Sequence, residues 1–127
     1  MPNTKQIGGD HYTTMAMQPF ELISKIRPNF FVGNVIKYIS RWRRKNGLED
    51  LQKALHYVEY IIENNIYQGE VPGAMIRLNK FYSLNKMAPE EASIINSLYF
   101  NAPENALKKL KAYYVIQLEA QNHECNS

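Results

Sequence analysis

Cysteine is almost absent from this chain. The single one, Cys125, lies near the end of the 127 residues, which leaves no internal disulfide framework and no cysteine-rich zinc site and matches a reducing compartment. Long apolar runs are missing too: no stretch approaches the roughly 18 residues of a membrane span, and the opening Met1-Pro2-Asn3-Thr4-Lys5 has no apolar signal core. A soluble, cytoplasmic protein is expected, with no membrane partner. The pattern G-x-x-x-x-G-K-[ST] does not occur, so a conventional P-loop is excluded. Strand-like alternation, internal repeats and low-complexity segments are lacking as well. What remains is a single all-α domain spanning 1–127, with a central antiparallel helical hairpin and three or four further helices.

That hairpin is residues 33–57. At about 100° per residue, Val32, Val35, Ile36, Ile39 and Trp42 fall on one side of the first helix, and Asn34, Lys37, Tyr38, Arg41 and Lys45 on the other. One face is core; the other is a row of donors. Asn46-Gly47 supplies residue types that tolerate the left-handed closing of a helix, and Glu49 and Asp50 put negative charge at the start of the next one. The second helix, about 49–66, carries Leu51, Ala54, Leu55, Val58, Ile61 and Ile62 as its apolar stripe. Asp50, Lys53 and Tyr57 share one flank of it, where they meet the donor row across the hairpin.

Elsewhere the punctuation is local. Gly8-Gly9 breaks regular structure ahead of Asp10-His11-Tyr12, and Pro19 opens a short helix that stops before Pro28. Gly33 is expected to permit close approach or a special dihedral. After a break at Val71-Pro72-Gly73, a short helix covers roughly 74–82. Pro89-Glu90-Glu91 and Pro103-Glu104 read as helix first turns, the last helix running from about 103 to 121 with Leu107, Leu110, Tyr114 and Leu118 inward and Lys108, Lys109 and Lys111 mostly exposed. The nine tyrosines, five phenylalanines and one tryptophan are generous for this length. Tyr60, Tyr67, Tyr99 and Tyr113 are candidates for subunit contacts in a homo-oligomer, since aromatics are enriched there.

Charge is unevenly spread. Residues 1–47 carry eight Lys/Arg against two Asp/Glu, whereas residues 48–127 carry seven against ten. An anionic partner should therefore meet the N-terminal half. Phosphate groups require cations and directed N–H donors, and Lys37, Arg41 and Lys45 offer them at spacings of four. On such a face Asn34 reads a base edge or a ribose hydroxyl, Tyr38 stacks or donates, and His11 with Tyr12 closes over the ligand. The same three cations would equally form a solvated helix face paired with acids of a neighbour.

His11-Tyr12, Gln18-Pro19-Phe20-Glu21, Gly33-Asn34-Val35-Ile36-Lys37-Tyr38-Ile39-Ser40-Arg41 and Lys45-Asn46-Gly47-Leu48-Glu49-Asp50-Leu51-Gln52-Lys53-Ala54, followed by Tyr57, resemble the signature of a small family widespread in tailed phages and long catalogued as a domain of unknown function. The motif also occurs in the nucleotide kinase of T7-like phages, described as phosphorylating deoxynucleoside monophosphates without a Walker motif. The resemblance covers roughly residues 8–65; residues 70–127 are unrecognised. It implies a phage protein of the host cytoplasm that binds nucleotide through Tyr12, Gln18, Asn34, Lys37, Tyr38, Arg41, Lys45 and Lys53, with Asp50 and His11 as catalytic candidates and Mg²⁺ as cofactor if the protein is a kinase. Few acids lie near that face: Asp10, Glu21, Glu49 and Asp50. Asp50 is the best placed of them, and a helix carboxylate held by Lys53 is its structural alternative.

Three other readings stand beside the kinase. A non-enzymatic binder of a nucleotide or cyclic-nucleotide signal, a sponge counteracting host defence, needs the same cations and aromatics without a metal carboxylate. Nucleic-acid binding through Arg41-Trp42-Arg43-Arg44-Lys45 suits phosphate contacts, although Trp42 belongs to the apolar face and Arg43 and Arg44 diverge around the helix. An all-α pyrophosphohydrolase would need clustered glutamates, and Glu59 and Glu63 have no partnering acid cluster.

Overall fold

The structure is a computed structural model that describes residues 15–126, with side chains to residue 123. Six helices make up the described chain: α1 (Pro19–Ile26), α2 (Phe30–Arg41), α3 (Leu48–Glu63), α4 (Ala74–Leu84), α5 (Pro89–Tyr99) and α6 (Pro103–Asn126). The all-α reading holds, and no described helix is long and apolar enough to cross a membrane.

Local chemistry sets each boundary. α1 starts with Pro19 at its first position and with the Glu21 carboxylate accepting from the Gln18 N–H at 3.0 Å, and it ends at Arg27 in the left-handed conformation just before Pro28. α2 is capped by Asn29, whose Oδ1 accepts from the Val32 N–H at 2.8 Å. Gly47 (φ 63°, ψ −139°) turns the chain from α2 into α3. Its φ is positive as expected, although its ψ lies outside the left-handed helical basin; its N–H donates to the Trp42 carbonyl at 2.8 Å at the end of α2, and it is also the residue that precedes the first turn of α3. Gly33 also departs from expectation: it sits in regular helix, and a Cβ there would meet Pro28 Cγ at 3.5 Å and Ile23 Cδ1 at 3.9 Å, ordinary contacts.

α2 and α3 pair along their lengths. Phe31 stacks on Tyr60, Tyr38 lies against Tyr57, and Arg41 bonds Asp50. Partner numbers fall on α3 as they rise on α2, which is antiparallel packing. α3 packs on α6, α6 on α5 and α5 back on α2, closing a four-helix ring, and α1 with α4 attaches to the side of α2. Inside lie Val35, Ile36, Ile39, Leu51, Ala54, Val58, Ile94, Leu98, Ala106 and Leu110. On α6 the buried stripe is Ala106, Leu110 and Tyr113, with Leu107, Tyr114 and Leu118 half-buried beside it, a rotation of about one residue from the expected stripe. Two of the tyrosines expected at subunit contacts, Tyr99 and Tyr113, are instead core residues. The Tyr99 hydroxyl donates to the Ile26 carbonyl at 2.7 Å and accepts from the Val71 N–H at 3.1 Å. Tyr60 and Tyr67 are exposed in this chain.

A buried carboxylate ties the ring together where α2, α5 and α6 meet. Glu91 is 2% exposed. Its Oε2 accepts from Trp42 Nε1 at 2.8 Å and from the Tyr113 hydroxyl at 2.7 Å, with Arg43 Nη2 at 3.4 Å, while its Oε1 caps the Ala88 N–H at 3.0 Å. Burial, and then the bond to Glu91, push the Tyr113 phenol above its ordinary range. Glu91→Ala would strand a tryptophan N–H and a tyrosine hydroxyl in the core, and removing one partner of such a network costs about 3–5 kcal/mol. Urea denaturation should show that loss for E91A, with Glu91→Gln losing less because it keeps an acceptor oxygen.

Candidate functional site

The donor row of α2 runs along the seam with α3, but its members differ in freedom. Arg41 is buried, 7% exposed, and its Nε lies 3.3 Å from Oδ2 of the fully buried Asp50. Asn46 Nδ2 approaches the other oxygen, Oδ1, at 3.4 Å. Asp50 occupies the third position of α3, where a carboxylate also answers the positive end of the helix dipole. The pair is a strut between the two helices beneath the face.

Lys37, Tyr38 and Lys53 lie over that strut, half-buried. The Tyr38 ring collects three cations: Lys37 Nζ is 4.8 Å from its centroid, Arg41 Cζ 4.9 Å and Lys53 Nζ 5.6 Å. Lys53 also pairs with Glu49 at 3.5 Å, one turn back on its own helix. The expectation that Lys53 holds Asp50 is thereby corrected: Arg41 reaches the buried carboxylate, and Lys53 takes the exposed acid. Lys37 has no ion pair among the described residues. Burial lowers its pKa from the usual lysine value, and the neighbouring Arg41, Lys45 and Lys53 charges add to that. Lys45 is exposed in the turn after α2. Among the described residues near Lys37, four cations face two carboxylates that are already engaged.

Asn34 lies one turn before Tyr38, its Nδ2 donating to the Phe30 carbonyl at 2.8 Å. Gln18 is remote from this seam in the chain, at the start of α1. His11, Tyr12 and Asp10 lie outside the described residues. His56 is exposed on α3. No group of three or more His, Cys, Asp or Glu side chains able to hold a metal forms among the described residues. Asp50 is engaged by Arg41 and Asn46, and the exposed Glu49 pairs with Lys53.

Two features escaped the sequence. Glu91 anchors Trp42 and Arg43 from the unrecognised half; its place three residues after Ala88 at the start of α5 was the available cue, a capping-box carboxylate, but its burial was not visible. Behind α2, a cleft of about 300 Å³ is bordered by Ser40, Arg43, Arg44, Lys86 and Glu91. The second feature is the aromatic run beside the donors, in which Phe30, Phe31, Tyr57 and Tyr60 lie ring to ring.

Two stability changes follow. Asp50→Ala would leave the Arg41 guanidinium buried without its counter-charge, a loss of about 3–5 kcal/mol in urea denaturation, partly recovered in the Arg41→Ala/Asp50→Ala double variant. Lys37→Met should act in the opposite sense. A lysine whose pKa is lowered by folding is charged at neutral pH at some expense to the folded state, so removing the charge raises the urea midpoint, and the gain fades as pH rises through the lysine range.

Neither a curated protein nor a solved structure matches the chain. Residues 7–59 match the model of the family DUF3310, whose members are described as proteins of unknown function, so the segment that carries α1, α2 and most of α3 is similar to that family.

Proposed function

We propose that this protein binds a nucleotide, gripping its phosphate on the α2–α3 face with Lys37, Lys45 and Lys53. The observation that carries this is Lys37: a half-buried ammonium among other cations, with its pKa lowered and with no ion pair among the described residues. Holding more cations than carboxylates together is unfavourable in the free protein and favourable once an anion arrives. Arg41 contributes from below through the Tyr38 ring, and Asp50 positions Arg41 rather than meeting the ligand. The resemblance to a nucleotide kinase supports the class of ligand. The engaged carboxylates favour binding over phosphoryl transfer, which ordinarily requires acids to hold metal and orient the acceptor. Of the basic run Arg41-Trp42-Arg43-Arg44-Lys45, Arg41 pairs with Asp50 while Trp42 and Arg43 reach toward Glu91, which leaves Arg44 and Lys45 as the cations most open to nucleic acid.

Calorimetric titration with deoxynucleoside mono- and triphosphates and cyclic nucleotides, with and without Mg²⁺, tests this. At least one should bind, and Lys37→Met should weaken it about tenfold or more, the worth of a charge-assisted hydrogen bond. No binding across the panel, or unchanged affinity in the variant, would sink the reading. Chromatography of the incubated ligands then separates a receptor or sponge, which returns them unaltered, from a kinase, which converts a monophosphate to a diphosphate at the expense of a triphosphate.

A further inference from the structure

A bare phosphate site would not require what lies at the other end of the same seam. Phe30, Asn34, Lys37, Tyr38 and Arg41 follow one another at helical spacings and share one stripe of α2. Phe30 opens the stripe 68% exposed. Its ring lies edge-on to Phe31 at 5.4 Å and to Tyr57 at 6.2 Å. Phe31 stacks on Tyr60 at 5.0 Å, and Tyr57 is 5.9 Å from Tyr38, the ring that collects the cations. Aromatic surface thus runs without a break from an exposed phenylalanine to the cationic cluster.

The spacing and the chemistry of this stripe fit one occupant. From Phe30 to Lys37 the helix axis advances about 10 Å at 1.5 Å per residue, the reach of a base, sugar and phosphate rather than of phosphate alone. Asn34 stands between them. Its Nδ2 donates to the Phe30 carbonyl; a flipped amide would set two oxygens against each other, so the assignment is fixed by the helix itself, and Oδ1 remains an acceptor. Cations at one end, an acceptor in the middle and π-faces at the other match the three parts of a nucleotide in order.

We infer that the base of the ligand stacks at the Phe30–Tyr57 end, with Asn34 Oδ1 accepting from a sugar hydroxyl or an exocyclic amine, so that the face selects base-bearing phosphates over inorganic ones. This rests on the nucleotide reading above. Phe30 stands at the first position of α2 and outside the core, so its replacement leaves the helix packing in place.

The test titrates the full chain and its Phe30→Ala and Phe30→Trp variants with each deoxynucleoside triphosphate and with inorganic pyrophosphate. Phe30→Ala should weaken the best-bound nucleotide about tenfold, the usual scale of a lost base–aromatic stack, leave pyrophosphate affinity unchanged, and be rescued by Phe30→Trp. Wild-type nucleotide affinity in Phe30→Ala overturns the inference, as does an equal loss for pyrophosphate. In both cases a continued loss in Lys37→Met keeps the phosphate reading alive. Wild-type protein that binds none of the nucleotides sinks both.

Discussion

A charge taken out of water must be answered where it sits, and the join between α2 and α3 is built around that requirement. Asp50 is fully buried, and Arg41 is the cation that meets it. One residue further on, Trp42 turns the other way and gives its N–H to Glu91, and Arg43 follows it. Three consecutive residues are therefore divided between two buried carboxylates on opposite sides of the helix end. The division fixes how α2 is rotated about its axis, and with it which side chains face the seam.

What that rotation presents is a surface out of electrostatic balance. Lys37 and Lys45 have no acid to pair with among the described residues, whereas Lys53 has Glu49 and Arg41 has Asp50. A solvated basic face usually relieves itself by spreading out. Here the Tyr38 ring gathers the cations instead, and the Tyr57 ring lies against it. Proteins accept such local frustration at sites that act on something else.

Much of this was legible in the sequence because it depends on periodicity and punctuation. The core positions Val32, Val35, Ile36, Ile39 and Trp42 follow from a 3.6-residue repeat, and the starts of α1, α5 and α6 from a proline at the first position of each. The donor row was likewise visible as a stripe. Pairing between elements was not. Nothing local distinguishes Lys53 from Arg41 as the partner of Asp50; the choice depends on which side chain reaches a carboxylate that packing has buried. For the same reason Tyr99 and Tyr113 passed for surface aromatics, since their partners lie at Ile26 and Glu91, far along the chain. Nothing local marks Phe30 either, because a ring it meets, Tyr57, comes from α3.

The contact between Trp42 and Glu91 crosses the edge of the family match, because Trp42 lies inside the segment that matches the family model and Glu91 lies outside it. The matching segment therefore exports one of its structural needs. A buried indole N–H has to be received by whatever the rest of the chain supplies, and α5 and α6 supply it here. A relative that shares the face but carries a different second half must offer another acceptor at that point, or carry something other than tryptophan there.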